Sequence, residues 1–105
     1  MGTNKSFSSE TSERYSRALF EVANEAKELD SIENEIKNFQ ELFNTSNEVK
    51  NFIQNPTQSV NTQINFVNLL SERLGFSKNL KNFFLLLIEK RRIFFVRKIT
   101  ESFLK

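Results

Sequence analysis

Only two glycines, Gly2 and Gly75, and one proline, Pro56, occur in the 105 residues of this chain. Sheets of short strands need frequent turns, and turns draw on glycine and proline for backbone angles that other residues resist. A chain this poor in both is confined to helices joined by few breaks. The apolar pattern agrees. Tyr15, Ala18, Leu19, Val22, Ala23 and Ala26 recur at three- and four-residue spacing, the period of one side of a helix. No strand-like alternation is present.

Read along its length, the chain predicts an all-α fold, a single bundle of about six helices. Residues 1–9 are polar and predict a flexible lead-in, leaving residues 10–105 as the helical domain. Helix one should run from about Ser9 to about Leu29. Asp30 is then a candidate N-cap with Glu33 three residues on, as in a capping box. Helix two carries Ile32, Ile36, Phe39, Leu42 and Phe43, and a break follows at Asn44–Asn47. Helix three carries Val49, Phe52 and Ile53 and must end by Asn55, because proline disfavours helical angles in the residue before it. Thr57–Asn61 is a loop and cap region. Helix four carries Ile64, Val67, Leu70 and Leu74, with Gly75 as its C-cap. Ser77 caps helix five at about residues 78–90. The pattern loses phase near Arg91–Ile93, and helix six carries Phe95, Val96, Ile99 and Phe103. The 12 phenylalanines, with no tryptophan present, are expected to build the core.

The composition also excludes chemistry. With no cysteine there is no disulfide, thiol nucleophile or thiolate metal site. With no histidine the commonest general base and metal ligand is missing. No glycine-rich phosphate loop and no nucleophile–base set is present. Glu10, Glu13, Glu21, Glu25 and Glu28 fall at helical spacings and read as solvated faces. No cofactor or metal is expected. The longest apolar run, Phe83 to Ile88, is six residues, far short of the roughly 20 a membrane span needs. Charge is polarised. Residues 1–52 carry six Lys/Arg and ten Asp/Glu, whereas residues 53–105 carry nine and three. That asymmetry fits either an oriented interface or two solvated faces of opposite sign. The basic run Lys90, Arg91, Arg92, Arg97 and Lys98, interleaved with Phe94 and Phe95, raises nucleic acid or an anionic membrane surface as a partner. Both phenylalanines fall at core spacing with Ile99 and Phe103, so burial is expected to deny them to stacking bases.

Two helices carry more apolar surface than a core requires. A surface helix needs an apolar stripe a little over ~100° wide. On helix one the apolar arc covers roughly 200°, with Phe20 and Leu19 at its large end and Tyr15, Ala18 and Val22 at its small end. On helix five, Leu80, Phe83, Phe84, Leu87 and Ile88 form one face and Leu85 and Leu86 extend it to roughly 260°. Helix five is therefore either central or exposes a strip to a partner. Two neighbouring helices with surplus apolar surface make a groove that accepts an amphipathic helix.

Tyr15-Ser16-Arg17-Ala18-Leu19-Phe20-Glu21-Val22-Ala23 resembles the Tyr-Ala-x-Ala-Leu-Phe-x-x-Ala opening of the delta subunit, or OSCP, of F-type ATP synthases. Three further segments resemble that family in the same order. Leu29 and Ile32 match its Leu-Asp-x-Ile, and Phe52-Ile53-Gln54-Asn55-Pro56 its Phe-Leu-x-Asn-Pro. Asn82 to Ile93 matches its Asn-Phe-Leu-x-Leu-Leu-x-x-Asn-x-Arg-Leu. Ile99 and Phe103 fall where the family places its closing apolar pair. Departures are mild: Ser16 for alanine, Ile93 for leucine, and Lys90 and Arg91 where asparagine and often glycine occur.

The resemblance implies a six-helix domain at the top of the catalytic head of the synthase, non-catalytic and acting as part of the stator. It implies a groove between helices one and five that receives the N-terminal helix of an alpha subunit. Carried over by position, that groove involves Tyr15, Ala18, Leu19 and Val22 facing Asn82, Phe83, Leu86 and Glu89. Arg92 matches the family's arginine and reads as a helix-end residue. A second, C-terminal domain contacting b-type stalk subunits is implied for the family and has no counterpart here. The implied location is peripheral to an energy-transducing membrane, on the cytoplasmic side in bacteria or the matrix or stromal side in organelles. Neither nucleic acid nor membrane insertion is implied. A helical adaptor domain for another amphipathic helix, and a basic nucleic-acid-binding bundle, are the competing readings from residues alone.

Overall fold

A computed structural model describes residues 7–55 and 57–105. The order is α1 (Phe7–Glu25), α2 (Leu29–Thr45), α3 (Asn47–Gln54), α4 (Val60–Leu74), α5 (Lys78–Glu89), a 3₁₀ turn (Ile93–Phe95) and α6 (Val96–Phe103). The fold is all-α, with six α-helices and no strand among the described residues. Of the lead-in expected at 1–9, residues 1–6 lie outside the described residues, and Phe7 to Ser9 already belong to α1.

Local chemistry sets most helix ends. Ser46, Ser59 and Ser77 each accept a hydrogen bond from the backbone N–H three residues on, the N-cap arrangement that satisfies an otherwise orphaned donor. The break expected over Asn44–Asn47 narrows to the single residue Ser46, which ends α2 and starts α3. Asn55 is extended, as the residue before Pro56 must be, and Pro56 itself lies outside the described residues. Gly75 ends α4 in the left-handed region at φ +69°, and the Phe76 N–H closes back on the Ser71 carbonyl at 2.9 Å.

Two other ends use the same closure without glycine. After α1, Glu28 N–H donates to the Ala23 carbonyl at 2.8 Å and Lys27 N–H to the Asn24 carbonyl at 3.1 Å, with Lys27 at φ +58°. After α5, Arg92 N–H donates to the Leu87 carbonyl at 2.7 Å and Arg91 N–H to the Ile88 carbonyl at 3.0 Å, with Arg91 at φ +59°. These are the paired 6→1 and 5→2 bonds of a Schellman end. The first one corrects the sequence reading: α1 stops at Glu25, α2 starts at Leu29, and Glu28, not Asp30, holds the N-cap position, with no side-chain cap bond. Asp30 instead lies in the first turn of α2, where its charge meets the positive end of the helix dipole.

A non-glycine residue in the left-handed region costs about 1–2 kcal/mol. Glycine removes that cost but adds unfolded-chain entropy of roughly 0.4–1 kcal/mol. Arg91→Gly and Lys27→Gly should therefore each stabilise the fold by up to about 1 kcal/mol. That is a rise of about 4 °C in melting temperature for a domain of this size, readable by thermal circular dichroism. A fall in melting temperature for both variants would refute the assignment of these turns.

The core is a single cluster centred on Phe39, Phe43 and Phe84, with Ile36, Leu80 and Leu87 around them. Phe84 stands edge-on to Phe39 at 5.2 Å and to Phe76 at 5.1 Å between ring centroids, the arrangement the ring quadrupole favours. Not every phenylalanine is interior: Phe20 and Phe94 are exposed. The first and last helices pack on each other, joined by the Ser16 hydroxyl, which donates to the Glu13 carbonyl at 3.0 Å and contacts the Ser102 hydroxyl at 3.2 Å. Gln40 ties α2 to α6 through its amide, which donates to the Arg97 carbonyl at 3.1 Å and to the Thr100 hydroxyl.

Candidate partner-binding site

Helices one and five are neighbours in the bundle. α1 packs against α5, and the Tyr15 ring stands edge-on to Phe83 with centroids 6.5 Å apart at 71°. The start of α5 is anchored to the turn between α1 and α2 and to α2 itself. Asn79 donates from its side-chain amide to the Glu28 carboxylate at 3.0 Å, and the Ser77 N–H donates to the Glu35 carboxylate at 2.7 Å. Carboxylates accepting such bonds hold the α5 terminus in place relative to α1.

The eight residues carried over from the sequence divide by depth. Ala18, Val22, Asn82, Leu86 and Glu89 are exposed, and Tyr15 is half-buried. Leu19 is 0% exposed and Phe83 is 7% exposed, so both are core residues beneath the strip and not its lining. The physical reason is rotational. Leu19 sits ~100° further round the helix than Ala18, and that rotation turns it under α1 and away from solvent. Val22 and Leu86, at 42% and 38% exposure, are the large apolar side chains the strip presents. Ala18 is a small exposed side chain one turn before Val22.

The basic run behaves differently from the expectation. Phe95 is half-buried against the core, but Phe94 is 41% exposed, which corrects its assignment to the interior. A 3₁₀ turn advances about 120° per residue in place of 100°, so one of two adjacent phenylalanines in Ile93–Phe95 is turned outward. Arg92 donates to the Lys90 and Arg91 carbonyls at 3.4 Å each and so contacts carbonyls freed at the end of α5. Arg97 lies over the Phe43 ring at 5.9 Å and pairs with Glu101 at 3.6 Å.

Two surface depressions went unread in the sequence. An open cleft of about 260 Å³ lies between the start of α4 and the α5–α6 turn, lined by Ser59, Val60, Gln63, Arg91, Ile93 and Phe94 among others. Another of about 370 Å³ lies between α2, α3 and α4, where Leu69 is 66% exposed. The adjacent pair Leu69-Leu70 carried no decisive signal for the second, since adjacent apolar residues are both buried elsewhere in this chain, as at Phe83-Phe84 and Leu87-Ile88. Among the described residues no cluster of acidic side chains could hold a metal ion. No described helix is long and apolar enough to cross a membrane.

Comparison with known proteins converges on one family. Residues 11–105 match the family model described as ATP synthase delta (OSCP) subunit. The chain is 38% identical over 105 residues to the ATP synthase subunit delta of Pelagibacter ubique, covering 100% of this chain and 57% of that protein. It is 36% identical over 99 residues to that of Microcystis aeruginosa, covering 92% of this chain and 53% of the relative. With the protein of the same name from Rhizobium etli the identity is 32% over 91 residues, 87% of this chain and 48% of the relative. The chain thus spans about half the length of these relatives. With the family's motifs in order, its helices where those motifs predict them and a family match over nearly the whole chain, the protein belongs to the ATP synthase delta (OSCP) subunit family.

Proposed function

We propose that this chain is the helical domain of a non-catalytic stator subunit, which binds the N-terminal helix of an alpha subunit between α1 and α5. The observation that carries the reading is the exposure of Ala18, Val22 and Leu86 on two helices that pack together through Tyr15 and Phe83. An amphipathic helix laid on that strip would bury its own apolar stripe against these side chains, with Asn82 and Glu89 at the polar rim. Leu19 and Phe83 support the strip from below. The role is mechanical. Rotation drives ATP synthesis only if the catalytic head is prevented from turning with the rotor. A contact built on apolar anchors releases slowly and can bear that torque. In this reading a further segment beyond residue 105 reaches the b-type stalk subunits, and the whole assembly works at the periphery of an energy-transducing membrane, on its cytoplasmic, matrix or stromal face.

Titrating a peptide of the cognate alpha subunit's N-terminal helix into the ¹⁵N-labelled chain tests this. Amide shifts are expected along Tyr15–Val22 and Asn82–Glu89. Saturable binding with shifts confined to Leu69 and its neighbours would move the site to the other face and overturn the placement.

A further inference from the structure

The cleft beside Arg91 is not part of the α1–α5 strip. Among its lining residues Arg91 is the sole ionised group, and none of them is a carboxylate. The first turn of α4, which forms one wall, carries no acidic residue either. Lys90 is exposed next to Arg91. Among the described residues no carboxylate pairs with Arg91. Apolar surface flanks the charge: Phe94 is 41% and Val60 46% exposed, with Ile93 beneath them. Arg91 also occupies a left-handed position where glycine would be relaxed, so the turn itself gains nothing from an arginine there.

We infer that this cleft docks a segment of a protein partner in which one or two carboxylates flank a large apolar side chain. Arg91 and Lys90 take the carboxylates, and Phe94 and Val60 take the apolar group. The number of available cations decides against a polyanion. Arg92 is turned to backbone carbonyls, Arg97 to Phe43 and Glu101, and Lys98 lines a separate depression with Ser12 and Glu101, which leaves Lys90 and Arg91 of the basic run at this corner. Salt-dependent nucleic-acid binding typically recruits roughly 6–10 phosphate contacts, and lipid-directed basic clusters hold roughly 4–8 Lys/Arg. A single guanidinium fork beside an apolar wall suits a carboxylate. A volume of about 260 Å³ is also below the roughly 300–1,000 Å³ of small-molecule sites and suits one or two side chains.

The test uses a fluorescent ten-residue peptide of Glu, Leu and Phe, its counterpart with Lys for every Glu, a 20-base-pair DNA duplex and phosphatidylserine vesicles. The Glu peptide is expected to bind, to shift the amides of Val60, Gln63, Arg91 and Phe94, and to lose at least tenfold in affinity in Arg91→Gly and in Phe94→Ala. Arg91→Gly should show that loss while melting higher than the unchanged chain, a combination a folding defect cannot produce. Lys27→Gly, at the matching turn far from the cleft, should melt higher and bind as before. The inference falls if the Glu and Lys peptides bind alike, if Arg91→Gly binds unchanged, or if DNA or vesicles perturb these amides at equal or lower concentration. It also falls if millimolar Glu peptide leaves them unmoved.

Discussion

Ala18→Arg should bind the alpha N-terminal peptide at least ~30-fold more weakly than the unchanged chain by calorimetry, with its helical far-UV signal intact. A charge forced into an apolar contact costs about 2 kcal/mol or more when a partner must desolvate it, and each 1.4 kcal/mol is tenfold in affinity. Ala18 is exposed in the middle of α1, so arginine there meets solvent in the free chain and is a good helix former. The melting temperature should move by no more than a few degrees. Binding within a factor of three of the original would show that the peptide avoids this strip. Leu19→Ala is the instructive contrast. Leu19 is fully buried, so its truncation should lower stability by about 2–5 kcal/mol and affect binding only through the fold.

Phe84→Ala carries the largest expected effect on stability. Its ring is fully buried, touches Phe39 and Phe76 edge-on and lines a small, partly open cavity of about 10 Å³ with Phe52, Phe66 and Ile93. Removing it joins that void to the space of a benzene ring, and the surroundings relax only in part. The loss should be about 3–5 kcal/mol out of a total that for domains of this kind is roughly 5–15 kcal/mol. The melting temperature should drop by about 15 °C or more. A double-mutant cycle with Phe39→Ala should leave a coupling of about 1 kcal/mol, the edge-to-face contribution. A loss below 1 kcal/mol for Phe84→Ala would mean that α5 is not the central helix.

Both variants rest on the same division between what is local and what is not. Two helix ends were read from a single residue, Ser77 as an N-cap and Gly75 in the left-handed region, whereas the Ser46 and Ser59 caps lay inside segments read only as a break and a loop and cap region. The end of α1 was not readable, because Lys27 adopts the left-handed region without glycine's freedom and the closing hydrogen bonds come from backbone groups that carry no sequence signal. The family motifs sit on the helices that the periodicity predicted, and helices one and five pack together through Tyr15 and Phe83.

By itself, then, the sequence determined an all-α chain, its six helices, the caps at Ser77 and Gly75 and its family, because these follow from residue type and spacing along one chain. The tertiary structure alone decided which apolar residues remain at the surface. Periodicity reports an angle around one helix axis but not where the neighbouring helix stands. Leu19 and Ala18 are adjacent in sequence, yet packing buried the first and left the second open. Phe94 and Phe95 divided in the same way, because a 3₁₀ turn changed the angle between them. The long-range scarcity of glycine and proline set the architecture, and the relative placement of α1, α4, α5 and the α5–α6 turn set the surfaces it offers to partners.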